Sequence, residues 1–136
     1  MKLIVTSILI AGAALAAALP ALALSPLPGR SVMVVAHRGA SGYAPENTMA
    51  SFRIAHEQTA DMIELDVYMS ADGHAVIMHD QTVDRTTDGE GNIESMTLEQ
   101  IRRLDAGSWM KPEFAGERVP TLDEVLEWAK PRVLVN

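Results

Sequence analysis

Short apolar runs separated by polar segments organise the chain from residue 31 onward. Continuous apolar character predicts a strand over 31–36 that is buried on both faces, as in a parallel sheet. Further strands are predicted over 62–67, 75–78 and 132–136. The first three of these strands each deliver polar residues at or near their C-terminal ends.

Amphipathic segments between the strands predict three helices. Asn47 or Thr48 can cap the first helix. Capping-box spacing, with Gln or Glu three residues after a threonine, opens the others at Thr97 and Thr121, and Pro131 ends the last. The residues expected to face inward are Met49, Phe52 and Ala55 in the first helix, Leu98, Ile101 and Leu104 in the second, and Leu122, Val125, Leu126 and Ala129 in the third.

The region around the second strand predicts a hairpin. Asp72-Gly73 has the sequence of a two-residue turn, which would bring residues 75–78 back as a short strand. Alternation along the second strand places Glu64 and Asp66 on one face. Two carboxylates on one strand face repel each other unless a cation or a basic group lies between them.

The order strand, helix, strand, excursion, helix, strand is that of an α/β protein with parallel strands. A complete (β/α)8 barrel needs about 250 residues. The 136 residues are therefore expected to form the N-terminal portion of a TIM barrel, an incomplete barrel that is either a fragment or a truncated product.

Residues 1–23 have the features of a secretory signal peptide: one lysine, a long apolar run and an Ala-Leu-Ala ending. The protein is therefore expected to be exported to the periplasm or secreted, with a linker over 24–31 and no stable membrane association after cleavage. The alternative is an uncleaved anchor, because the apolar run is long enough to span a bilayer. The chain has no cysteine, so its stability is expected to come from packing.

The formal net charge of −7 argues against nucleic acid as a partner, because no basic patch can neutralise its phosphates. An acidic protein can still bind a phosphate where a cation and an arginine meet. Charge alone names no ligand.

Chemically capable residues end the first three strands. His37-Arg38 follows the first, Glu64 and Asp66 belong to the second, and His79 follows the third. Carboxylate oxygens favour Mg²⁺ or Ca²⁺ over zinc. Arginine offers a planar fork for two phosphate oxygens, and one histidine can accept a proton while the other donates one. This set suits metal-assisted hydrolysis of a phosphate ester.

Each of these features also has a structural interpretation, and spacing alone leaves both open. Two carboxylates on one strand face also occur where an edge strand meets water, and a lone histidine is more often structural than catalytic. Gly39 is expected to let the backbone approach a ligand. His56, in a helix, and His74, in a turn, lack a comparable setting and are interpreted as structural.

An ordered series of motifs resembles the glycerophosphodiester phosphodiesterase family and covers nearly all of the chain after the signal peptide. The series consists of His37-Arg38-Gly39, Pro45-Glu46-Asn47-Thr48, Glu64-Leu65-Asp66-Val67, His79-Asp80 and the runs at 84–91, 105–109 and 119–124. A lone His-Arg-Gly is weak evidence, whereas the ordered series is specific.

The resemblance implies a TIM barrel that hydrolyses glycerophosphodiesters to glycerol 3-phosphate and an alcohol. It further implies an insertion at about 80–118, after the second strand of the barrel, which shapes substrate access. The roles it implies are acid and base for His37 and His79, divalent metal ligands (Ca²⁺ or Mg²⁺) for Glu64 and Asp66, phosphate binding for Arg38, and support of the site for Glu46.

The chain departs from the family pattern in two places. The family usually has a glycine at the end of the first helix, where this chain has Gln58-Thr59-Ala60-Asp61. The third metal ligand of the family, a glutamate, would follow the third strand of the barrel, which is where Val135-Asn136 lies. The domain over 32–136 is thus expected to hold only part of the metal site.

Three functions stay open at this stage. The first is an exported phosphodiesterase acting on small glycerophosphodiesters. The second is a truncated, inactive product that at most binds metal or phosphate. The third is a related phospholipase acting on membrane lipids. The motifs within 80–118 favour the first over the third.

Overall fold

The computed structural model describes residues 32–136. The predicted signal peptide over 1–23 and the predicted linker over 24–31 both lie outside the described residues. Among those described, no helix is both long and apolar enough to cross a membrane.

Five strands and three helices follow one another in the described chain, with 3-10 turns at Ile93–Ser95 and Pro112–Phe114. In chain order they are β1 (Val35–Ala36), α1 (Met49–Glu57), β2 (Met62–Ile63), β3 (Val67–Met69), β4 (Ala75–Ile77), α2 (Leu98–Ile101), α3 (Leu122–Ala129) and β5 (Leu134–Val135).

The strands form two sheets. β1, β2 and β5 make a parallel sheet in that order, with Ala36 opposite Ile63 and Ile63 opposite Val135. β3 and β4 form an antiparallel pair. The predicted α/β architecture with parallel strands is confirmed. Parallel pairing brings the C-terminal ends of β1 and β2 to one edge, where ligand sites of such sheets lie.

The single strand predicted over 62–67 is wrong, because the chain changes partners in the middle of it. β2 ends at Ile63, and residues 64–66 bridge to β3 in the other sheet. The Leu65 amide still donates to the Asn136 carbonyl (3.1 Å), whereas the Asp66 carbonyl accepts from Met78 (3.0 Å). Glu64 and Asp66 therefore lie in the short connection between two sheets.

The first strand is shorter and less buried than its apolar run predicts. β1 covers only two residues, and the side chains of Val32, Met33, Val34 and Val35 are between 37% and 72% exposed. The expectation of burial on both faces is wrong for the described residues. β1 lies at the edge of its sheet, and the described residues cover the side chains before Ala36 only in part.

The hairpin forms, but with a longer loop than the two-residue turn predicted. Met69 pairs with Ala75, and the Ser70 amide donates to the His74 carbonyl at 2.9 Å. Gly73 has φ 83°, the left-handed conformation that closes a three-residue loop. The hairpin signal was thus correct in place and wrong in length.

The helix predictions hold best. Thr48, Thr97 and Thr121 cap the three helices, each in a reciprocal capping box. Phe52, Ala55, Ile101, Val125 and Ala129 are all buried as predicted. Leu126 is the exception, since its side chain is 43% exposed.

Two apolar cores meet at β4. Ile77 packs in the first, with Phe52, Ile63 and Val125. Val76 and Met78 point to the second, which the residues of segment 80–118 complete with Val83, Ile93, Ile101 and Ala106. Because alternate residues of one strand face the two cores, the strand that leads into His79 is buried on both sides. The cores thus fix the position from which His79 projects.

Candidate functional site

The turn after β1 is held in an uncommon backbone conformation. Arg38 has φ 56°, a value seldom adopted by residues other than glycine, and Gly39 follows with φ 78°. The Arg38 carbonyl accepts bonds from the Asn47 amide (3.0 Å) and the Ser51 hydroxyl (3.1 Å). These bonds tie the turn to the start of α1 and fix where the Arg38 side chain leaves the backbone.

Gly39 packs closely against α1. A β-carbon at this position would lie 2.4 Å from the Ser51 hydroxyl oxygen and 2.8 Å from its carbonyl carbon. Ser51 is fully buried. Close contact with α1 is therefore one reason for glycine here, and the approach of a ligand to this backbone stays a prediction.

The two carboxylates predicted to bind a metal converge on Arg38. Glu64 Oε2 accepts from the Arg38 backbone amide at 2.9 Å. Asp66 Oδ2 accepts from Asn47 Nδ2 at 3.0 Å and lies 3.5 Å from Arg38 Nε. Two strand-end carboxylates thus meet one strand-end arginine, as parallel pairing of β1 and β2 predicts.

Glu46 lies between two arginines. Its Oε1 accepts from Arg38 Nη1 at 3.0 Å and from Arg85 Nη2 at 2.7 Å, and its Oε2 accepts from Arg85 Nη1 at 3.0 Å. The bonds from Arg85 outweigh partial burial and lower the pKa of Glu46 below its usual value. Glu46 is therefore an anion that links the Arg38 turn to the segment after β4.

Arg85 continues this network to His79 through Asp80. Its Nε donates to Asp80 Oδ2 at 2.6 Å, and Asp80 Oδ1 lies 2.5 Å from His79 Nδ1. The bonds from Arg85 and then from His79 lower the pKa of Asp80 to about 2. The two carboxylates raise the pKa of Arg85. Arg38, Glu46, Arg85, Asp80 and His79 thus form one connected chain of charged and polar groups.

His37 stands apart from this chain. Its backbone carbonyl accepts from the Ser41 hydroxyl at 2.9 Å, but its imidazole makes no hydrogen bond with the part of the chain described. His37 is one of the residues that line a largely apolar cavity of about 280 Å³, with Ala40, Tyr43 and Ala55. His37 is therefore next to Arg38 in the chain but free of the carboxylate network.

The histidines that lack a predicted role have different surroundings. His56 packs edge-on against Trp128 on the helical face, with ring centroids 6.1 Å apart. His74 lies exposed in the β3–β4 hairpin, where its amide donates to the Ser70 hydroxyl oxygen (2.9 Å) and its carbonyl accepts from the Ser70 amide (2.9 Å). Neither belongs to the carboxylate network.

The sequence did not single out Arg85 or Asn47 as site residues. Arg85 appears only inside the run at 84–91, and its contact with Glu46 joins residues 39 positions apart. Asn47 was one of two candidate caps for the first helix; Thr48, the other, caps α1, and Asn47 has φ 58°. Asparagine tolerates this conformation better than most residues, so the Glu-Asn-Thr order is a usable signal.

Glu64 and Asp66 offer the type of ligand atom that a divalent cation binds, but two carboxylates are only part of a full set of ligands. Oε1 of Glu64 and Oδ1 of Asp66 accept no hydrogen bond from residues 32–136, so each carboxylate keeps an oxygen that could bind a cation. Hard oxygen ligands suit Mg²⁺ and Ca²⁺. No group of three or more His, Cys, Asp or Glu residues arranged for a metal occurs within the described residues.

Comparison with known proteins identifies the relatives of this arrangement. The model of the glycerophosphoryl diester phosphodiesterase family matches residues 37–136. A glycerophosphodiester phosphodiesterase from Caldanaerobacter subterraneus subsp. tengcongensis is 58% identical over 95 residues, which cover 70% of this chain and 39% of the relative.

Solved structures give the same result. A glycerophosphodiester phosphodiesterase from Agrobacterium tumefaciens superposes with a TM-score of 0.75 at 48% identity, covering 76% of this chain and 45% of that one. An Oleispira antarctica phosphodiesterase, solved in complex with the product sn-glycerol-3-phosphate, has a TM-score of 0.74 at 45% identity, covering 77% of this chain and 43% of that one. These neighbours are (β/α)8 barrels, so the predicted partial barrel is confirmed.

The chain spans less than half the length of each of these relatives. The match nevertheless includes every residue of the carboxylate and arginine network described above, because that network lies within residues 38–85.

Proposed function

Because the chain belongs to the glycerophosphoryl diester phosphodiesterase family, we propose that it hydrolyses glycerophosphodiesters to glycerol 3-phosphate and an alcohol. The observation that carries the proposal is the convergence of Glu64, Asp66 and Arg38 at the C-terminal ends of β1 and β2. That edge is the usual ligand position in barrels of this kind. The product bound to the Oleispira antarctica relative is of the same chemical class.

The charge balance of the network supports a bound divalent cation. Glu46, Glu64, Asp66 and Asp80 supply four carboxylates, whereas Arg38 and Arg85 supply two guanidinium groups. The excess of two negative charges would repel a substrate phosphate unless a cation compensates it. In the proposal, Glu64 and Asp66 hold Ca²⁺ or Mg²⁺, which supplies charge neutralisation at the phosphate oxygens.

Arg38 is proposed to hold the substrate phosphate. Its side chain is 18% exposed and its guanidinium already pairs with Glu46, so it is oriented before substrate arrives. Its Nε is buried and has no hydrogen-bond partner within the described residues. Arginine prefers two parallel bonds to phosphate oxygens, and an oriented side chain loses less entropy when such bonds form.

His37 and His79 are proposed to be the acid–base pair. Both side chains are exposed to solvent at strand ends. Each imidazole has at least one ring nitrogen that makes no hydrogen bond within residues 32–136. One histidine would accept the proton of the attacking oxygen and the other would donate a proton to the leaving alcohol. Proton balance requires the two to start in opposite protonation states.

Release of glycerol 3-phosphate from sn-glycero-3-phosphocholine tests the proposal. The purified protein is assayed with Ca²⁺, with Mg²⁺ and with a chelator, and we expect turnover only with a cation present. His37→Ala and His79→Ala are each expected to lower kcat by roughly 10²–10⁴-fold. His56→Ala is the matched control, because that histidine packs against Trp128 outside the network.

The outcomes separate the three functions considered. No release under any condition, with metal binding retained, would favour an inactive product that binds metal or phosphate. Release only from phosphoinositide or sphingolipid vesicles would favour a membrane phospholipase. Equal turnover in the presence of the chelator would remove the cation from the proposal.

A further inference from the structure

Arg85 connects two parts of the site, and none of the roles predicted from the sequence accounts for this residue. Two of its nitrogens bond to Glu46, and the third donates to Asp80 at 2.6 Å. Glu46 in turn bonds to Arg38, and Asp80 contacts His79. One guanidinium therefore connects the arginine proposed to bind phosphate with a histidine proposed to transfer protons.

The backbone that carries Arg85 is fixed by buried neighbours. Thr86 is 4% exposed and its hydroxyl lies 3.2 Å from the Met78 sulfur, and Thr87 donates to the Val83 carbonyl at 2.8 Å. Val83 belongs to the second core and is fully buried. Arg85 thus extends from a rigid segment, although its own side chain is 45% exposed.

The contact between Asp80 and His79 selects one ring nitrogen. A carboxylate accepts hydrogen bonds and donates none when ionised, and Asp80 is held ionised by Arg85. His79 Nδ1 therefore carries the proton in this contact. Nε2 is left as the nitrogen that can accept a proton, since a neutral imidazole has one protonated and one free nitrogen.

We propose that Arg85 is a positioning residue that locks Asp80 onto His79 Nδ1 and thereby makes Nε2 the nitrogen that exchanges the proton. The proposal rests on the proposed hydrolytic function and deepens it. Asp80 alone has free rotation of its carboxylate; with Arg85 bonded to Oδ2, Oδ1 faces the imidazole. The bonds of Arg85 to Glu46 hold the guanidinium in this position and keep it from turning to conformations that point into solvent.

The variant Asp80→Asn gives a specific structural signature. Arg85 Nε still requires an acceptor, so the amide oxygen takes that position and the amide NH₂ faces His79 Nδ1. An NH₂ group donates, and Nδ1 must then accept, which moves the ring proton to Nε2. We expect ¹⁵N chemical shifts of the His79 ring to report the Nδ1–H tautomer in the wild type and the Nε2–H tautomer in Asp80→Asn.

The same substitution behaves differently without the bridge. In Arg85→Gln/Asp80→Asn the amide is no longer oriented by the guanidinium, so both tautomers of His79 should be populated. This dependence on Arg85 separates positioning from a general structural role, which would leave the tautomer unchanged. The ring shifts are measured on the free protein and do not depend on turnover.

Kinetics provide the second readout. We expect kcat to fall roughly 10- to 100-fold in Arg85→Gln, the usual cost of losing a group that orients a functional imidazole. Arg85→Lys should lose nearly as much, because one ammonium group lacks the fork that reaches both carboxylates. Asp80→Asn should cost less in the Arg85→Gln background than in the wild type, since coupled residues are not additive.

Arg103→Gln is the matched control. Arg103 pairs with Glu99 on α2, is 71% exposed and lies outside the network, so kcat and the His79 tautomer should be unchanged. The Nδ1–H tautomer persisting in Asp80→Asn, or full kcat in a folded Arg85→Gln protein, would overturn the positioning role. A wild type with no hydrolytic activity but the expected ring shifts would instead refute the proposed function and leave the positioning of His79 standing.

Discussion

Gly39 shows how one residue of a functional motif can be required for packing. It adopts φ 78° and lies against buried Ser51. Gly39→Ala would force a β-carbon into the Ser51 backbone and strain a left-handed conformation. We expect a loss of about 2–4 kcal/mol in the free energy of unfolding, measured with urea in the absence of any ligand.

Gly42 offers the matched control within the same loop. A β-carbon at Gly42 would meet nothing within 4 Å, so Gly42→Ala should change stability by less than about 0.5 kcal/mol. If Gly39→Ala were as stable as Gly42→Ala and only substrate affinity fell, the expectation of ligand approach at Gly39 would be favoured.

The lowered pKa of Asp80 predicts that the protein loses stability in acid. Its pKa is about 2 in the folded protein against an ordinary value of 3.8, chiefly because of the bond from Arg85. A lowered pKa means that the unfolded chain binds the proton more tightly. The stabilisation is therefore complete above pH 3.8 and disappears as the pH falls through about 2.

The measurement is the free energy of unfolding of wild type and Asp80→Asn at pH 6 and at pH 2. We expect the wild type to lose about 1 kcal/mol more than the variant, less than a buried group would give, because the 31% exposed side chain is screened by solvent. An equal loss of stability between pH 6 and pH 2 in the two proteins would show that the contact between Arg85 and Asp80 does not persist in solution.

At the residue scale, sequence identified the candidates at strand ends but not the links between them. His37, Arg38, Glu64 and Asp66 could be found because each ends or follows an apolar run. The contact of Glu46 with Arg85 could not, since it depends on how the segment after β4 folds back over the turn after β1. Such pairings are tertiary and leave no local pattern.

The end of α1 carries a local strain that the sequence anticipated. Thr59 has φ 61°, a conformation that β-branched residues rarely adopt. Its amide bonds to the His56 carbonyl and the Ala60 amide bonds to the Ala55 carbonyl, the bond pair of a Schellman motif. The resemblance to the family implies a glycine at the end of the first helix, which this chain lacks. The segment in question contains Thr59, whose left-handed conformation favours glycine.

Thr59→Gly should therefore stabilise the protein. We expect the free energy of unfolding to rise by about 0.5–1 kcal/mol. This is the strain relieved in the left-handed conformation, minus the entropy that glycine adds to the unfolded chain. Thermal and urea unfolding would measure it. Gln58→Gly is the control, because Gln58 has φ −80° and glycine there should destabilise; equal effects of the two changes would show that φ at Thr59 is unimportant.

Elements differed in how far sequence could predict them. The three helices begin where their threonine caps predict, because a capping box is satisfied by residues three positions apart. Strand limits were less predictable, as the break after Ile63 shows. A strand ends where its partner ends or changes, and the partners of β2 lie 27 and 72 positions away in the register.

At the scale of the whole molecule, β4 joins two cores and places the site between them. Val76 and Ile77 belong to different cores, so segment 80–118 is packed against the sheet region through β4. The boundaries of this segment remain a prediction, but its apolar residues do form the second core together with Val76 and Met78. The Arg85 network spans the same junction, which links stability there to the geometry of His79.

The open sheet predicts how the purified chain behaves in solution. β1 and β5 are the edges of the three-stranded parallel sheet, and a closed barrel would pair both. Val32, Val34 and Val35 are 72%, 49% and 47% exposed beside the β1 edge. An unpaired edge next to exposed apolar side chains promotes association between chains.

We therefore expect concentration-dependent self-association in sedimentation velocity. Val32→Lys/Val34→Lys should reduce association, because charges beside an edge oppose strand pairing. Leu126→Lys is the control, since Leu126 is equally apolar and 43% exposed but lies on α3. A monomer at every concentration would show that the edge of β1 is already protected. Association reduced equally by both variants would locate its cause away from that edge.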